Sequence, residues 1–119
     1  MILENALLDV LPGREEEFLA AFAEARPLIA AQPGFRSLRL RRCLDEGRDS
    51  RFLLQVEWDT LADHTEGFRH SPEYQRWRAL LHHFYRPFPE VEHYGEPLLD
   101  ALGPATPGPA TPAPVPPGR

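Results

Sequence analysis

Two Pro-Gly pairs divide the first third of the chain, and they constrain its fold more than any other feature. Before Pro12-Gly13, residues Ile2 to Val10 are rich in aliphatic side chains on alternating positions, as in a β-strand. Between the pairs, apolar residues recur at helical spacings of four, three and four, namely Phe18, Phe22, Ala25 and Ile29. After Pro33-Gly34 the alternation returns. The pattern predicts a strand, a helix and a second strand.

The helix is predicted from Gly13 to Ala31. The run Glu15-Glu16-Glu17 lies where a helix N-terminus favours negative charge. Pro27 falls inside the pattern and donates no backbone hydrogen bond. We therefore expect a kink at Pro27.

A hairpin is predicted next. Phe35 to Cys43 and Phe52 to Trp58 both alternate, and a polar loop, Asp45 to Ser50, joins them. In such a hairpin Arg39 and Arg41 are expected to meet Gln55 and Glu57 across the ladder.

Two short helices and a last strand complete the pattern. Thr60 and Asp63 form a capping pair, and four side chains share one side of the helix that follows: Leu61, His64, Thr65 and Phe68. Ser71-Pro72-Glu73 has the cap, proline and acid of a second helix start. Its inward face is Tyr74, Trp77, Leu81 and Phe84. Val91 to Glu96 reads as the final strand.

The resulting order, β-α-β-β-α-β, is that of an α+β, ferredoxin-like domain with helices on one face of an antiparallel sheet. The predicted strands carry aliphatic residues on both faces, so the free face of the sheet needs cover. We expect a homodimer that buries the two free faces against each other.

Composition sets the limits of this domain. The domain is predicted over residues 1–100, and residues 101–119 form a Pro/Ala-rich tail. Gly103 to Arg119 contains seven prolines in seventeen residues and no large apolar side chain. Such a segment is expected to be disordered or to adopt a polyproline II conformation.

Several function classes are disfavoured. Cys43 is the only cysteine, so neither a disulfide framework nor a thiolate metal cage is expected. The formal net charge is −5 with thirteen arginines interspersed among acidic residues, which argues against nucleic-acid binding. The N-terminus resembles no secretion signal and no apolar run spans a membrane, so a cytoplasmic location is expected.

The candidate functional residues concentrate between Trp58 and Tyr94, which holds both tryptophans, all five histidines and all three tyrosines. His82 and His83 suggest a metal site at first sight. Adjacent helical side chains point about 100° apart, however, so the two rings do not readily bind one ion. No metal is predicted.

Three segments carry a resemblance to the antibiotic biosynthesis monooxygenase (ABM) family of dimeric α/β barrels: ILENALLDVLPGREEEF, QPGF and VEWDTLADHTEGFRHSPEYQRW. The resemblance spans roughly residues 1 to 97. It implies a pocket between helices and sheet, and either a cofactor-independent oxygenase of anthrone- or quinol-like aromatics or a haem-degrading enzyme.

For an oxygenase without cofactor, the expected partners are a small aromatic substrate and molecular oxygen. Such chemistry needs a base and a dry pocket that stabilises the substrate anion. His64 is the candidate base and Asn5 the candidate hydrogen-bond donor. The candidate substrate-binding residues are Phe68, Trp77, Leu81, Tyr85, His83 and His93.

Two alternatives remain open. The same fold serves as a non-catalytic module that binds small ligands or partners. The haem-degrading relatives use an Asn, a Trp and a His, and Asn5 matches the first of these. Phe68 and Arg78 occupy the other two positions, so haem degradation is poorly supported.

Overall fold

The computed structural model describes residues 1–104 and has the predicted order of elements. The strands are β1 (Ile2–Asp9), β2 (Phe35–Arg42), β3 (Arg51–Trp58) and β4 (Val91–Tyr94). The helices are α1 (Glu15–Ala30), a π-helix (Asp63–Phe68), α2 (Pro72–Leu81) and a 3₁₀ turn (His82–Phe84). Most of the predicted tail, residues 105–119, lies outside the described residues.

The four strands form one antiparallel sheet in the order β2-β3-β1-β4. β1 therefore lies inside the sheet, paired with β3 along its whole length and with β4 from Leu3 to Ala6. The α+β, ferredoxin-like fold is confirmed.

One detail of the hairpin differs from expectation. Arg39 lies opposite Gln55 as predicted, but Arg41 lies opposite Leu53. Glu57 lies opposite Ser37 instead and accepts a hydrogen bond of 2.7 Å from its hydroxyl. In an antiparallel ladder the residue numbers of β3 fall as those of β2 rise, so Arg39 opposite Gln55 places Arg41 opposite Leu53.

Helix α1 buries the predicted apolar stripe, since Phe18, Phe22, Ala25 and Ile29 are all buried. Pro27 lies inside the helix, which continues to Ala30. The kink expected there stays a prediction.

The turn before β2 fits only glycine. Gly34 has a φ of +81°, and a Cβ at this position would overlap the side chain of Asp63. Asp63 is held there by the predicted capping pair. Its carboxylate accepts a 3.0 Å hydrogen bond from the Thr60 backbone N–H, and its own N–H donates to the Thr60 hydroxyl at 3.2 Å. The glycine turn thus packs against the start of the next helix.

The helix after Thr60 departs from the predicted α-helix. Only Leu61 and Ala62 are α-helical, and the π-helix that follows them buries His64 and Phe68. Leu61, predicted on the same side, is 47% exposed. The expected four-residue face is thus corrected to two inward side chains. The next helix starts as predicted, because the Ser71 hydroxyl accepts a hydrogen bond from the Tyr74 N–H.

The core lies between the helices and one face of the sheet. From β1 it takes Ala6 and Leu8, and from α2 it takes Trp77 and Leu81. The opposite face of the sheet is less covered, and Leu7 on it is 47% exposed. None of the helices within residues 1–104 has the length and apolar character needed to cross a membrane.

The core is expected to be most sensitive to substitution of Phe18. It is fully buried and contacts the rings of Phe22, Phe52, Phe84 and Tyr85. Phe18→Ala should lower the free energy of unfolding by about 3–5 kcal/mol, because it removes buried area and leaves a cavity. Urea titration measures this. Leu44→Ala is the control, since Leu44 is 95% exposed; similar losses in the two variants would contradict the assigned core.

Candidate functional site

A cavity of about 40 Å³ lies between the sheet and the helices. Half of the apolar residues that line it are aromatic: Phe22, Phe68, Tyr74, Trp77, Tyr85 and Phe88. Its polar wall contains Glu4, His64, Arg69 and His82. The cavity has room for a few water molecules and no more. Phe88 is 61% exposed and lies with Pro89 outside any helix or strand. An aromatic ligand is larger than the cavity, so its binding requires side chains that line the cavity to move.

Glu4 is the buried acid of this cavity. It shares the core-facing side of β1 with Ala6 and Leu8 and is only 6% exposed. The indole N–H of Trp58 donates a 2.9 Å hydrogen bond to its Oε1. Burial raises the pKa of Glu4 from 4.5 to about 7, against the opposing effects of the Trp58 hydrogen bond and the Arg69 charge.

His64 packs between Trp58 and the acid. Its ring stacks on the Trp58 indole with centroids 5.6 Å apart, and its Nε2 lies 3.3 Å from Glu4 Oε1. Burial lowers the pKa of His64 from 6.5 to about 3, and the charges of Arg69 and His93 act in the same direction. Burial therefore disfavours the charged forms of both partners, and at neutral pH His64 is an uncharged imidazole.

His93 joins the pair from β4. It lies opposite Glu4 in the β1–β4 ladder, and its Nε2 is 2.8 Å from Nδ1 of His64. Glu4 and His93 thus contact different nitrogens of His64, so the three side chains form a line and not a cage. Within residues 1–104, no group of three or more His, Cys, Asp or Glu side chains has an arrangement suited to a metal ion.

Most predicted site residues come together here. His64, Phe68, Trp77, Leu81 and Tyr85 line the cavity. His93 reaches it through His64.

Asn5 and His83 do not join the site. Asn5 points to the other face of the sheet, where its Oδ1 accepts a 3.1 Å hydrogen bond from Gln55. Successive side chains of a strand point to opposite faces, so Asn5 cannot share a cavity with Glu4. The prediction that Asn5 and His64 serve one pocket is therefore wrong for this cavity. His83 is exposed beside Phe84, whereas its neighbour His82 lines the cavity.

Three polar residues of the cavity were not predicted: Glu4, Arg69 and His82. For Glu4 a signal existed, since it is the one charged residue among Ile2, Ala6, Leu8 and Val10 on its side of β1. An acid on an otherwise aliphatic strand face is an uncommon choice that calls for a functional explanation. His82 packs against Tyr74, Tyr85 and Phe88, and burial lowers its pKa to about 4, with Arg78 contributing.

Comparison with known proteins decides the family. The sequence model of the ABM family, described as antibiotic biosynthesis monooxygenase, matches residues 1–80. The chain belongs to this family. YczJ, an uncharacterized protein of Bacillus subtilis (strain 168), is 51% identical over 94 residues, which cover 79% of this chain and 97% of YczJ.

Solved structures of ABM proteins have the same fold. A Bordetella bronchiseptica protein assigned to the family superposes with a TM-score of 0.75 at 36% identity, over 82% of this chain and 97% of that one. SnoaB of Streptomyces nogalater, a cofactor-independent oxygenase, superposes with a TM-score of 0.66 at 18% identity, over 82% and 93% of the two chains. At that identity the likeness to SnoaB concerns the fold alone.

The haem-degrading branch of ABM-like proteins finds no matching site here. Both nitrogens of His64 already face other side chains, Glu4 and His93, so its ring offers no free ligand to an iron. The residues present do not fit a haem group.

The raised pKa of Glu4 has a consequence for stability. With values of 4.5 unfolded and about 7 folded, the folded state holds the proton more tightly. Stability from this group is fully present below pH 4.5 and is lost as pH rises through 7. Glu4→Gln imitates the protonated acid, so the variant should gain about 3 kcal/mol over the natural protein across this range.

Urea unfolding from about pH 4.5 to pH 8 measures the difference, and His64 is present in both proteins. The exposed Glu90→Gln is the matched control and should give no trend. A pH-independent difference for Glu4→Gln would show that folding does not raise the pKa of Glu4.

Proposed function

We propose that the protein is a cofactor-independent oxygenase that oxidises a small anthrone- or quinol-like aromatic compound in the Glu4–His64 cavity. Membership of the ABM family supports an oxygenase, and the aromatic wall supports an aromatic substrate. The observation that carries the proposal is the buried carboxyl of Glu4, which faces an apolar cavity and is hydrogen-bonded to Trp58.

Glu4 replaces His64 as the proposed base. A general base works best when its pKa is near the working pH, and the pKa of Glu4 is about 7. The pKa of His64 is about 3, so its neutral imidazole is a weak proton acceptor. His64 instead positions the carboxyl, because its Nε2 and the Trp58 indole both contact Oε1. Oε2 is left for the substrate.

The proposed reaction balances without a cofactor. In an anthrone-like substrate, a CH₂ group acidified by the aromatic system gives one proton to Glu4, and the carbanion transfers one electron to O₂. The two radicals combine into a peroxide anion, which takes up one proton from solvent, while the proton held by Glu4 returns to solvent. Loss of water leaves a carbonyl, so CH₂ and O₂ become C=O and H₂O. Substrate bound in the cavity displaces its water from around the carbanion, which favours these steps.

Arg69 supports the same step electrostatically. It lines the cavity. Its positive charge opposes the rise that burial causes in the pKa of Glu4, and it adds to the fall that burial causes in the pKa of His64. A positive charge at this position favours a substrate anion.

Oxygen uptake tests the proposal. With a panel of hydroxylated aromatics, the natural protein should consume oxygen without added metal or flavin. Glu4→Gln should lower the rate by about 100-fold or more, because the amide cannot accept the substrate proton. His83→Gln is the matched control and should retain the rate, since His83 is exposed outside the cavity.

The contrary results are distinct. Unchanged uptake in Glu4→Gln would remove Glu4 from proton abstraction. Binding of aromatics without any uptake by the natural protein would favour the alternative function, a non-catalytic module that binds small ligands.

We also propose that the chain forms a homodimer through the free face of its sheet. Leu3, Leu7 and Leu53 lie on this face, among polar residues such as Asn5 and Gln55. Three leucines on a sheet face without covering helices favour burial against a second copy.

Leu7→Arg should convert the dimer into a monomer, because it places one charge on each side of the proposed contact. Light scattering coupled to size exclusion measures the mass. Leu44→Arg is the control, since Leu44 is 95% exposed in the loop between β2 and β3. A natural protein of single-chain mass would overturn the proposed contact.

A further inference from the structure

We infer that Glu4, His64 and His93 form a proton relay that connects the cavity to solvent, with His93 as its outer end. The inference rests on the proposed function for its role in turnover. The arrangement of the three side chains can be tested without any substrate.

The hydrogen-bonding atoms form one continuous path. Glu4 Oε1 lies 3.3 Å from His64 Nε2, and His64 Nδ1 lies 2.8 Å from His93 Nε2. Glu4 and His64 are 6% and 3% exposed, whereas His93 is only partly buried. An imidazole that receives a proton at one nitrogen and releases one from the other transmits it without holding a charge.

The proton balance of the relay is simple. The protonated Glu4 carboxyl donates to His64 Nε2, His64 Nδ1–H donates to His93 Nε2, and His93 Nδ1–H passes its proton to water. After these transfers His64 and His93 are neutral, and Glu4 is again a carboxylate. Rotation of the carboxyl exchanges the oxygen that faces the substrate with the one that faces His64.

Two states of the line are therefore expected. When Glu4 is protonated, it donates to Nε2, so His64 carries its proton on Nδ1. When Glu4 is ionised, it accepts from Nε2–H, and His64 Nδ1 accepts from His93 Nε2–H. His64 stays neutral in both states and changes only its tautomer.

The surroundings of the line favour this behaviour. Glu4 is faced by Trp58 from β3, by His64 from the π-helix and by His93 from β4. The charge of Arg69 disfavours the second proton, which would make an imidazolium, on both His64 and His93. Tyr85, whose pKa burial raises above its ordinary value, adds no charge near neutral pH. A neutral His64 is thus maintained while Glu4 titrates.

The relay also has a purpose when substrate is bound. When substrate fills the cavity, the carboxyl has no direct contact with water. A path through His93 on β4 lets Glu4 exchange protons with solvent while substrate occupies the cavity.

The test is nitrogen NMR of the ¹⁵N-labelled full chain, in which long-range ¹H–¹⁵N couplings distinguish the two neutral tautomers of each histidine. The His64 signals are identified by their loss in His64→Gln. At about pH 6 and about pH 8.5, on either side of the pKa of Glu4, we expect opposite tautomers of His64. In Glu4→Gln the switch should be lost. One tautomer throughout, or an imidazolium in this range, would overturn the relay.

A second measurement addresses His93 itself. In His93→Gln the amide keeps a hydrogen bond to His64 but cannot pass a proton on. With a substrate that the natural protein oxidises, kcat should fall, KM should hold, and added imidazole should restore kcat. Unchanged kcat, or a loss that imidazole does not restore, would remove His93 from the path. If no substrate is oxidised, the NMR result still decides whether the tautomer switch exists, so the two proposals fail separately.

Discussion

The central constraint of this structure is the position of β1. It is paired on both sides, to β3 and β4, so every second side chain of the strand faces the core. Glu4 is on that side, in a row otherwise made of aliphatic residues. Placing a carboxyl there costs free energy unless the acid is protonated or hydrogen-bonded. Trp58, from β3, donates a hydrogen bond to the Glu4 carboxyl, and His64, from the π-helix, contacts the same oxygen. These two contacts offset part of this cost.

The π-helix supplies His64 to this acid. Its N-terminus is fixed by the Thr60–Asp63 pair, and Asp63 in turn occupies the space that a side chain at position 34 would take. Between this fixed start and the cap at Ser71, the wider turn brings His64 over Trp58 and Phe68 into the aromatic wall. Interruptions of this kind in helical hydrogen bonding are frequent at functional sites.

The sequence predicts the elements of this fold well because their signals are local. The Ser71 cap and the apolar stripe of α1 are each read from a few neighbouring residues. The site is harder to predict from the sequence, because its contacts join residues that are far apart in the chain. Glu4 and Trp58 are 54 positions apart, and His64 and His93 are 29 positions apart. Alternation shows that Glu4 and Asn5 face opposite ways, but both faces of β1 carry aliphatics, so it does not say which face is the core. Family resemblance points to Asn5, and the pleat of the strand places its side chain outside the cavity.

The charges around the cavity indicate which charge state of the substrate the site favours. With His64 uncharged, Arg69 is the permanent charge among the residues that line the cavity. Its exposure at the surface means that solvent screens it, so it attracts an anion toward the mouth more than it binds one tightly. Glu4 lies deeper, where screening is weak, and an ionised carboxyl there repels the anion that Arg69 attracts. A substrate that arrives neutral and gives its proton to Glu4 avoids this repulsion, because the carboxyl becomes neutral in the same step that makes the substrate negative. The arrangement therefore favours a weak carbon or oxygen acid over a ligand that is already an anion.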